Sequence, residues 1–196
     1  MGIVTFARSL CTAPPWQPTD IAGLALWIKG STVLYDGSNY IYSAPDGSGN
    51  SNDASQGTAV NQPLFVPNAL NRHAVMRFDG SSDFMTGTTI ANLGIYCLDI
   101  FIVAKGASTA GSDWGMLFGV GNHYNGLWIG RHSGLQALAV SINGTIITTA
   151  GNLPNTGFRY KIFELWKNSG VSAKILYNNI SQVSGNLGNF TNANYY

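Results

Sequence analysis

Few residues of this sequence could carry out acid–base chemistry. The sequence contains one glutamate, Glu164 in the segment KIFELWK, and no second carboxylate lies two or four residues away. Retaining hydrolysis of a glycosidic bond needs two carboxyl groups about 5 Å apart, one as nucleophile and one as acid. Glu164 alone does not offer that pair. We expect it to be a strand residue that pairs with Lys161, with Lys167 or with solvent.

The histidines do not suggest an active site either. His73, His123 and His132 are accompanied by no Gly-x-Ser-x-Gly segment and by no acid at a recognisable spacing. The sequence also lacks a phosphate-binding loop and a dinucleotide fingerprint, and its scattered glycines are typical of turns. We therefore predict that the protein is not an enzyme and uses no cofactor.

One stretch is rich in oxygen-bearing side chains that could bind calcium. These residues are Asp46, Asn50, Asn52 and Asp53. Calcium accepts roughly six to eight oxygen ligands, but Asp and Asn also hold tight turns through bonds to the nearby backbone. Because the spacing is not that of an EF-hand, we favour turns and predict no metal site. Asp79 and Asp83 present the same choice, with the same preference.

The composition indicates a packed chain with an uncharged surface. Only 10% of the 196 residues are charged, 45% are apolar, and the net charge is +1 without a basic run. Nucleic acid is therefore not an expected partner, because phosphate binding needs dense positive charge. The longest apolar stretch, residues 95–104, is shorter than the roughly 20 residues that span a bilayer. Arg8 interrupts the N-terminal segment, so we expect no ordinary signal peptide. We expect Cys97 to be a buried thiol.

Strand signals recur along the chain and helix signals do not. The predicted strands are residues 74–78, 96–104, 115–120, 127–130, 135–142, 145–149, 160–166 and 171–177. Asn143-Gly144 predicts a two-residue hairpin turn, and Asn168-Ser169-Gly170 predicts a second hairpin. Residues 96–104 place apolar side chains on both faces, which predicts a central strand covered on both sides. Residues 36–62 carry many turn formers and are predicted to be a long ordered loop.

Four segments occur in an order that is typical of a known family: DIAGLALWIKGSTV, DGSGNSNDASQGTAVNQP, NALNRHAVMRFDGSSDFMTG and YCLDIFIVAKG. From about residue 20 to residue 177 the sequence resembles the concanavalin A-like lectin and glucanase (laminin-G-like) superfamily, in the version found in phage virion and bacterial surface proteins. The resemblance implies an all-β fold, an antiparallel two-sheet jelly-roll sandwich. Residues 20–196 would form this domain, after an extended N-terminal arm or attachment segment at residues 1–19.

The sequence departs from the family pattern at two places. The family usually has Trp before the Asp-rich turn, where this sequence offers Tyr40 or Tyr42. The pattern also continues past the position of Tyr196 into a strand that closes the sandwich. Either the sequence is a fragment that lacks this last strand or a neighbouring chain covers the free edge, because an unpaired edge strand invites pairing. Both alternatives imply that the chain works inside something larger.

Sugar recognition on such a fold stacks an aromatic ring on a pyranose while polar side chains bond the hydroxyls. Trp27 and Trp166 lie in strand-like segments and are expected in the core. The predicted carbohydrate-binding residues are Trp114, His123, Tyr124 and Asn125. Equally open is the alternative that these residues pack a loop or contact a neighbouring subunit.

These observations lead us to expect a non-catalytic, lectin-like carbohydrate-binding or adhesion domain on a larger assembly. The preferred setting is the surface of a phage virion, as a head fibre, tail fibre or decoration protein. A bacterial cell surface or an extracellular location is the alternative. The expected partners are host or environmental polysaccharides and other virion or surface-assembly chains, in a homo-oligomer. The alternative function is a purely structural decoration protein without a glycan ligand. The sugar, the host, the oligomeric state and calcium dependence stay open.

Overall fold

A computed structural model of the chain describes residues 16–88, 90, 98–104, 115–120, 127–132, 137–142, 145–148, 161–167, 173–177 and 180–185. These residues form strands and two 3₁₀ turns, and they include no α-helix. Every pairing between the described strands is antiparallel. The prediction of an all-β fold is therefore confirmed. No helix in this part of the chain is long and apolar enough to cross a membrane.

The first part of the chain forms short strands. They are β1 (Leu34–Tyr35), β2 (Ile41–Ala44), β3 (Ala54–Ser55), β4 (Leu64–Leu70), β5 (His73–Arg77) and β6 (Thr86–Gly87). One sheet has the order β1-β2-β3-β6, and β4 pairs with β5 as a hairpin. A bridge between Tyr40 and Leu64 joins the start of β2 to the start of β4.

The second part forms longer strands in two four-stranded sheets. The strands are β7 (Leu98–Ala104), β8 (Gly115–Val120), β9 (Leu127–His132), β10 (Ala137–Ile142), β11 (Thr145–Thr148), β12 (Lys161–Lys167), β13 (Ala173–Tyr177) and β14 (Ile180–Gly185). The sheet orders are β11-β10-β9-β8 and β14-β13-β12-β7. The strands predicted in this part of the sequence are all present, and β14 is an addition.

Both predicted hairpins are confirmed by the strand register. Ile142 pairs with Thr145, which leaves a two-residue connection between β10 and β11, as an Asn-Gly turn requires. Strands β12 and β13 pair antiparallel from Lys167 and Ala173 onward. Local turn chemistry was therefore sufficient to predict these two pairings.

One apolar core joins the sheets. Its buried residues are Val33, Ile41, Ala44, Ala54, Met85, Ile90, Val120, Leu127 and Ile129. Side chains of β4, β5 and β7 pack against this cluster, among them Phe65, Met76 and Ile102. Ser141 in β10 is also buried, and its Oγ has no hydrogen-bond partner among the described residues.

The prediction of a long ordered loop at residues 36–62 holds for most of these residues but misses three short elements. This region contains β2, β3 and a 3₁₀ turn at Ala59–Asn61. Ile41 and Ala54 are buried in the core. The two strands have only four and two residues. Strand β2 pairs with β1, which directly precedes the region, and β3 pairs with the distant β6. A propensity pattern over so few residues cannot reveal pairing with distant segments.

Strand β7 is not covered on both faces, which corrects the prediction for residues 96–104. Ile100, Ile102 and Ala104 pack against the core, whereas Phe101 and Val103 are 61% and 57% exposed. The strand also lies at one end of its sheet order. An apolar run permits burial of both faces of a strand, but the segments that pack against the strand decide which faces are buried.

The described end of the predicted N-terminal arm is not extended. Pro18–Asp20 form a 3₁₀ turn that begins at proline, and the Gln17 backbone N–H donates to Asp20 Oδ2 at 2.8 Å. Residues 1–15 lie outside the described part of the chain. Cys97 and the side chain of Trp166 lie outside it as well. Trp27 is only half-buried, not in the core.

Candidate functional site

The predicted sugar-binding residues, Trp114, His123, Tyr124 and Asn125, all lie outside the described residues. The strands that they border are described. Strand β8 begins directly after Trp114 at Gly115, which pairs with Arg131. At the other end of β8, Val120 pairs with Leu127, so residues 121–126 connect these two positions. The two parts of the predicted site are therefore attached to opposite ends of this hairpin, whose six-residue strands are about 17 Å long.

The Asp46 carboxylate is the centre of a hydrogen-bonded turn. Its Oδ1 accepts bonds from the backbone N–H groups of Trp27 at 2.9 Å and Ser48 at 2.8 Å. Its Oδ2 accepts bonds from Ser48 Oγ at 2.6 Å and from the Asn52 N–H at 3.1 Å. The Asp46 N–H in turn donates to Asp53 Oδ1 at 2.8 Å. These bonds confirm that the two aspartates hold this turn.

The two asparagines of this stretch bond to a distant segment. Asn50 Nδ2 donates to the carbonyl oxygen of Leu24 at 2.7 Å. Asn52 Nδ2 donates to that of Ala25 at 2.8 Å. Both amide groups therefore anchor the turn to residues 24–25, about 26 positions earlier in the chain. The turn is a structural joint between separate parts of the protein.

This arrangement does not suit calcium. Burial raises the pKa of Asp46, but the hydrogen bonds from Ser48, Trp27 and Asn52 outweigh this effect, so the pKa lies below its ordinary value. Four donors point at the two carboxylate oxygens, and a cation would have to displace them. No group of three or more His, Cys, Asp or Glu side chains within the described ranges could hold a metal ion.

Asp79 holds a second turn in the same way. Its Oδ1 accepts the backbone N–H groups of Ser81, Ser82 and Asp83 at 2.8 to 3.0 Å. The Asp79 N–H donates to Asp83 Oδ2 at 2.8 Å. The bonds from Ser81, Asp83 and Ser82 lower the pKa of Asp79 to about 2. The turn interpretation of Asp79 and Asp83 is confirmed.

A different surface combines aromatic, apolar and charged side chains in one row. Tyr40 pairs with Leu64, and Leu64 pairs with Arg77; we call these three residues the Tyr40–Arg77 row. Hydrogen bonds of 2.8 Å lie on both sides of the first pair, from the Ile41 N–H to the Pro63 oxygen and from the Phe65 N–H to the Asn39 oxygen. That pattern marks a non-hydrogen-bonded pair, in which side chains approach most closely.

The Tyr40–Arg77 row lies on the face of the sheet that points away from the core. Successive side chains in a strand point to opposite faces. Ile41, next to Tyr40, has no exposed surface, and the paired neighbours Phe65 and Met76 pack against the core. Tyr40 is accordingly 43% exposed, Arg77 is exposed and Leu64 is half-buried.

A row of hydroxyl groups crosses the neighbouring strands. Ser43 pairs with Ser55, and Ser55 pairs with Thr86. Thr86 Oγ1 donates to the Ser55 carbonyl oxygen at 3.3 Å, whereas no hydrogen bond joins the Ser43 or Ser55 hydroxyl to another described residue. Tyr42, beside Ser43, is 45% exposed, because the register of β1 and β2 skips it. The outward face thus offers two tyrosines, an arginine and several hydroxyls.

This surface was not predicted from the sequence, in which Tyr40 and Tyr42 stand out only as residues at the place of a family tryptophan. The available signal was the alternation Tyr-Ile-Tyr at residues 40–42, which is typical of a strand with one buried position. The part played by Arg77 depends on the bridge between β2 and β4, and no local pattern encodes that bridge.

Comparisons of the chain with protein families, with curated proteins and with solved structures find no match. The chemistry of the described surface therefore carries the functional argument.

Proposed function

We propose that this protein is a non-catalytic, lectin-like carbohydrate-binding domain displayed on a larger assembly such as a phage virion. The observation that carries the proposal is the pair of exposed tyrosines, Tyr40 and Tyr42, on either side of the fully buried Ile41. A tyrosine ring can cover the apolar face of a pyranose, while its phenol bonds to a hydroxyl. The bridge to Leu64 fixes the backbone of Tyr40, and strand β2 fixes that of Tyr42, before a ligand binds.

The hydroxyl side chains near the tyrosines can form hydrogen bonds with the hydroxyl groups of a sugar. Ser43 and Ser55 are neighbours across the strands, at the strand spacing of about 4.8 Å. Hydroxyl side chains both donate and accept hydrogen bonds, as sugar hydroxyls do. The proposed jelly roll and the virion setting rest on the sequence resemblance, and the described antiparallel sheets are compatible with them.

The non-catalytic role in this proposal rests on the sequence, in which the single glutamate has no second carboxylate two or four residues away. Glu164 lies in β12, between the paired positions Phe101 in β7 and Leu176 in β13. Neither directly opposite position carries a carboxyl group, whereas Asp99 pairs with Trp166 at the next position on the same face of this strand pair.

A structural decoration protein is the second candidate. It is favoured by Phe101 and Val103, which expose more than half of their side-chain surface on one face of β7. Apolar side chains grouped in this way are typical of a contact with another protein chain. The two functions are compatible in one molecule, since these side chains lie in a different sheet from Tyr40.

Glycan-array binding of the purified full chain tests the proposal. We expect binding by the wild type, and loss of binding in Tyr40→Ala/Tyr42→Ala. The matched control is Tyr35→Ala, because Tyr35 is equally exposed but stacks on Phe65 with ring centres 4.2 Å apart. Trp114→Ala tests the site predicted from the sequence in the same assay. A folded wild type that binds no glycan would contradict the proposal and favour the structural role.

A further inference from the structure

We propose that the outward face binds a glycan that carries carboxylate groups, with Tyr40 stacking on a sugar ring and Arg77 pairing with the carboxylate. This inference rests on the proposed carbohydrate-binding function and names the ligand class. The geometry behind it is the Tyr40–Arg77 row, which places a ring and a guanidinium on either side of Leu64.

The spacing of the row suits one sugar residue. Neighbouring strands lie about 4.8 Å apart, so the backbones of Tyr40 and Arg77 are separated by about 10 Å. A pyranose ring placed over Leu64 has Tyr40 on one side and Arg77 on the other. The half-buried Leu64 side chain provides an apolar floor.

Arg77 is available for an anion. It is exposed, and no ion pair joins it to a described carboxylate. A guanidinium can bond both oxygens of a carboxylate in one plane, which makes arginine the preferred partner of such a group. In the two rows of this face, Arg77 is the one charged side chain.

The carboxylates near the row do not compete for Arg77. Asp79 follows it by two residues, but its Oδ1 accepts three backbone N–H groups within its own turn. Asp36 lies next to Tyr40 on the β1 side, away from Arg77. Its Oδ1 accepts the Ser38 and Tyr40 N–H groups, both at 2.8 Å.

Binding of the full chain to two forms of one polymer tests the inference. The probes are polygalacturonic acid and the same polymer after reduction of its carboxylates to alcohols, which leaves a neutral galactan. We expect the wild type to bind the acidic form about tenfold more tightly, because a charge-assisted bond to arginine is lost on reduction. Added salt should weaken only this preference.

Variants of two arginines in the β4–β5 hairpin show which arginine causes the preference for the acidic polymer. Arg77→Gln should remove the preference for the acidic polymer, and Arg77→Lys should retain part of it. Arg72→Gln is the matched control, since Arg72 is also exposed but lies in the β4–β5 turn, about 16 Å along the strand from Arg77. An equal loss of the preference in Arg72→Gln would overturn the inference.

The outcomes separate this inference from the proposed function. If the wild type binds both polymers equally and Tyr40→Ala binds neither, the inference of an acidic ligand is overturned. The proposal that this face binds carbohydrate is then supported. Binding of neither polymer and of no other array glycan by the folded protein would overturn both. Self-association lost in Tyr40→Ala, measured by sedimentation, would assign the face to a second copy of the chain and also overturn the inference.

Discussion

The turns at Asp46 and Asp79 use the same chemistry but connect different parts of the molecule. In both, an aspartate carboxylate accepts several backbone N–H groups. The bonds of Asp79 reach at most four residues along the chain. Those of Asp46 extend to Trp27, which is 19 residues away, and the half-buried turn is anchored there. The Asp46 carboxylate therefore joins two separate segments of the chain, whereas the Asp79 carboxylate stabilises only its own turn.

The largest effect is expected for Asp46→Ala. It removes four hydrogen bonds and leaves the Trp27 and Asn52 N–H groups without their partner. We expect the free energy of unfolding to fall by about 2 kcal/mol, measured by urea denaturation. Asp46→Asn is the control, since its amide keeps one acceptor oxygen, and it should lose less. An unchanged midpoint in Asp46→Ala would contradict the role of the turn as a joint.

Gly80→Ala tests how strongly the Asp79 turn depends on a left-handed backbone at Gly80. Gly80 has φ of 77°, and a Cβ there would meet no atom within 4 Å. The cost is therefore conformational, and we expect a loss of about 1 kcal/mol in unfolding free energy. Gly57→Ala is the control, because Gly57 has equal space but no left-handed backbone. Equal stabilities of the two variants would show that the turn relaxes freely.

Ser141→Ala tests a buried polar group that, unlike the two aspartates, has no hydrogen-bond partner among the described residues. The Ser141 hydroxyl is buried and makes no hydrogen bond within the described part of the chain. Because burying an unpaired hydroxyl costs free energy, its removal should stabilise the protein by about 1 kcal/mol. Thermal unfolding checks this expectation. A lower melting temperature in Ser141→Ala would mean that the hydroxyl has a partner in solution.

Asp79→Ala should have a smaller effect than Asp46→Ala, because the Asp79 turn is exposed and local. Asp79 has a pKa of about 2 in the fold, below its value of about 4 in the unfolded chain. Its contribution to stability is therefore fully present above pH 4 and is lost as the pH falls towards 2. NMR titration of the carboxyl carbons checks this value. A measured pKa near 4 would show that the three N–H bonds do not persist.

The smallest effect is expected for calcium. Addition of calcium or of a chelator should not change the melting temperature. Backbone N–H groups and the Ser48 hydroxyl already donate to the Asp46 carboxylate oxygens that calcium would need. Differential scanning fluorimetry checks this. A calcium-dependent increase that disappears in Asp46→Asn would revive the metal interpretation of residues 46–53.

The sequence predicted the elements that depend on local chemistry. The Asn-Gly pair predicted the β10–β11 hairpin, and the β-branched runs predicted the long strands of the second part. The turn-holding role of Asp46 and Asp79 also followed from residue type. The candidate site was not predicted, because Tyr40 and Arg77 are 37 residues apart and only pairing between β2, β4 and β5 brings them into one row.

The sequence by itself determined that the chain is all-β, that its turns are held by Asp and Asn, and that its surface carries little charge. These properties follow from residue types and from periodicities of a few positions. The tertiary structure alone decided that residues 36–62 contain two strands, that one face of β7 is exposed, and that Tyr40 shares a face with Arg77. The physical reason is that strand pairing and burial depend on residues far apart in the chain, and no local pattern specifies which segments will meet.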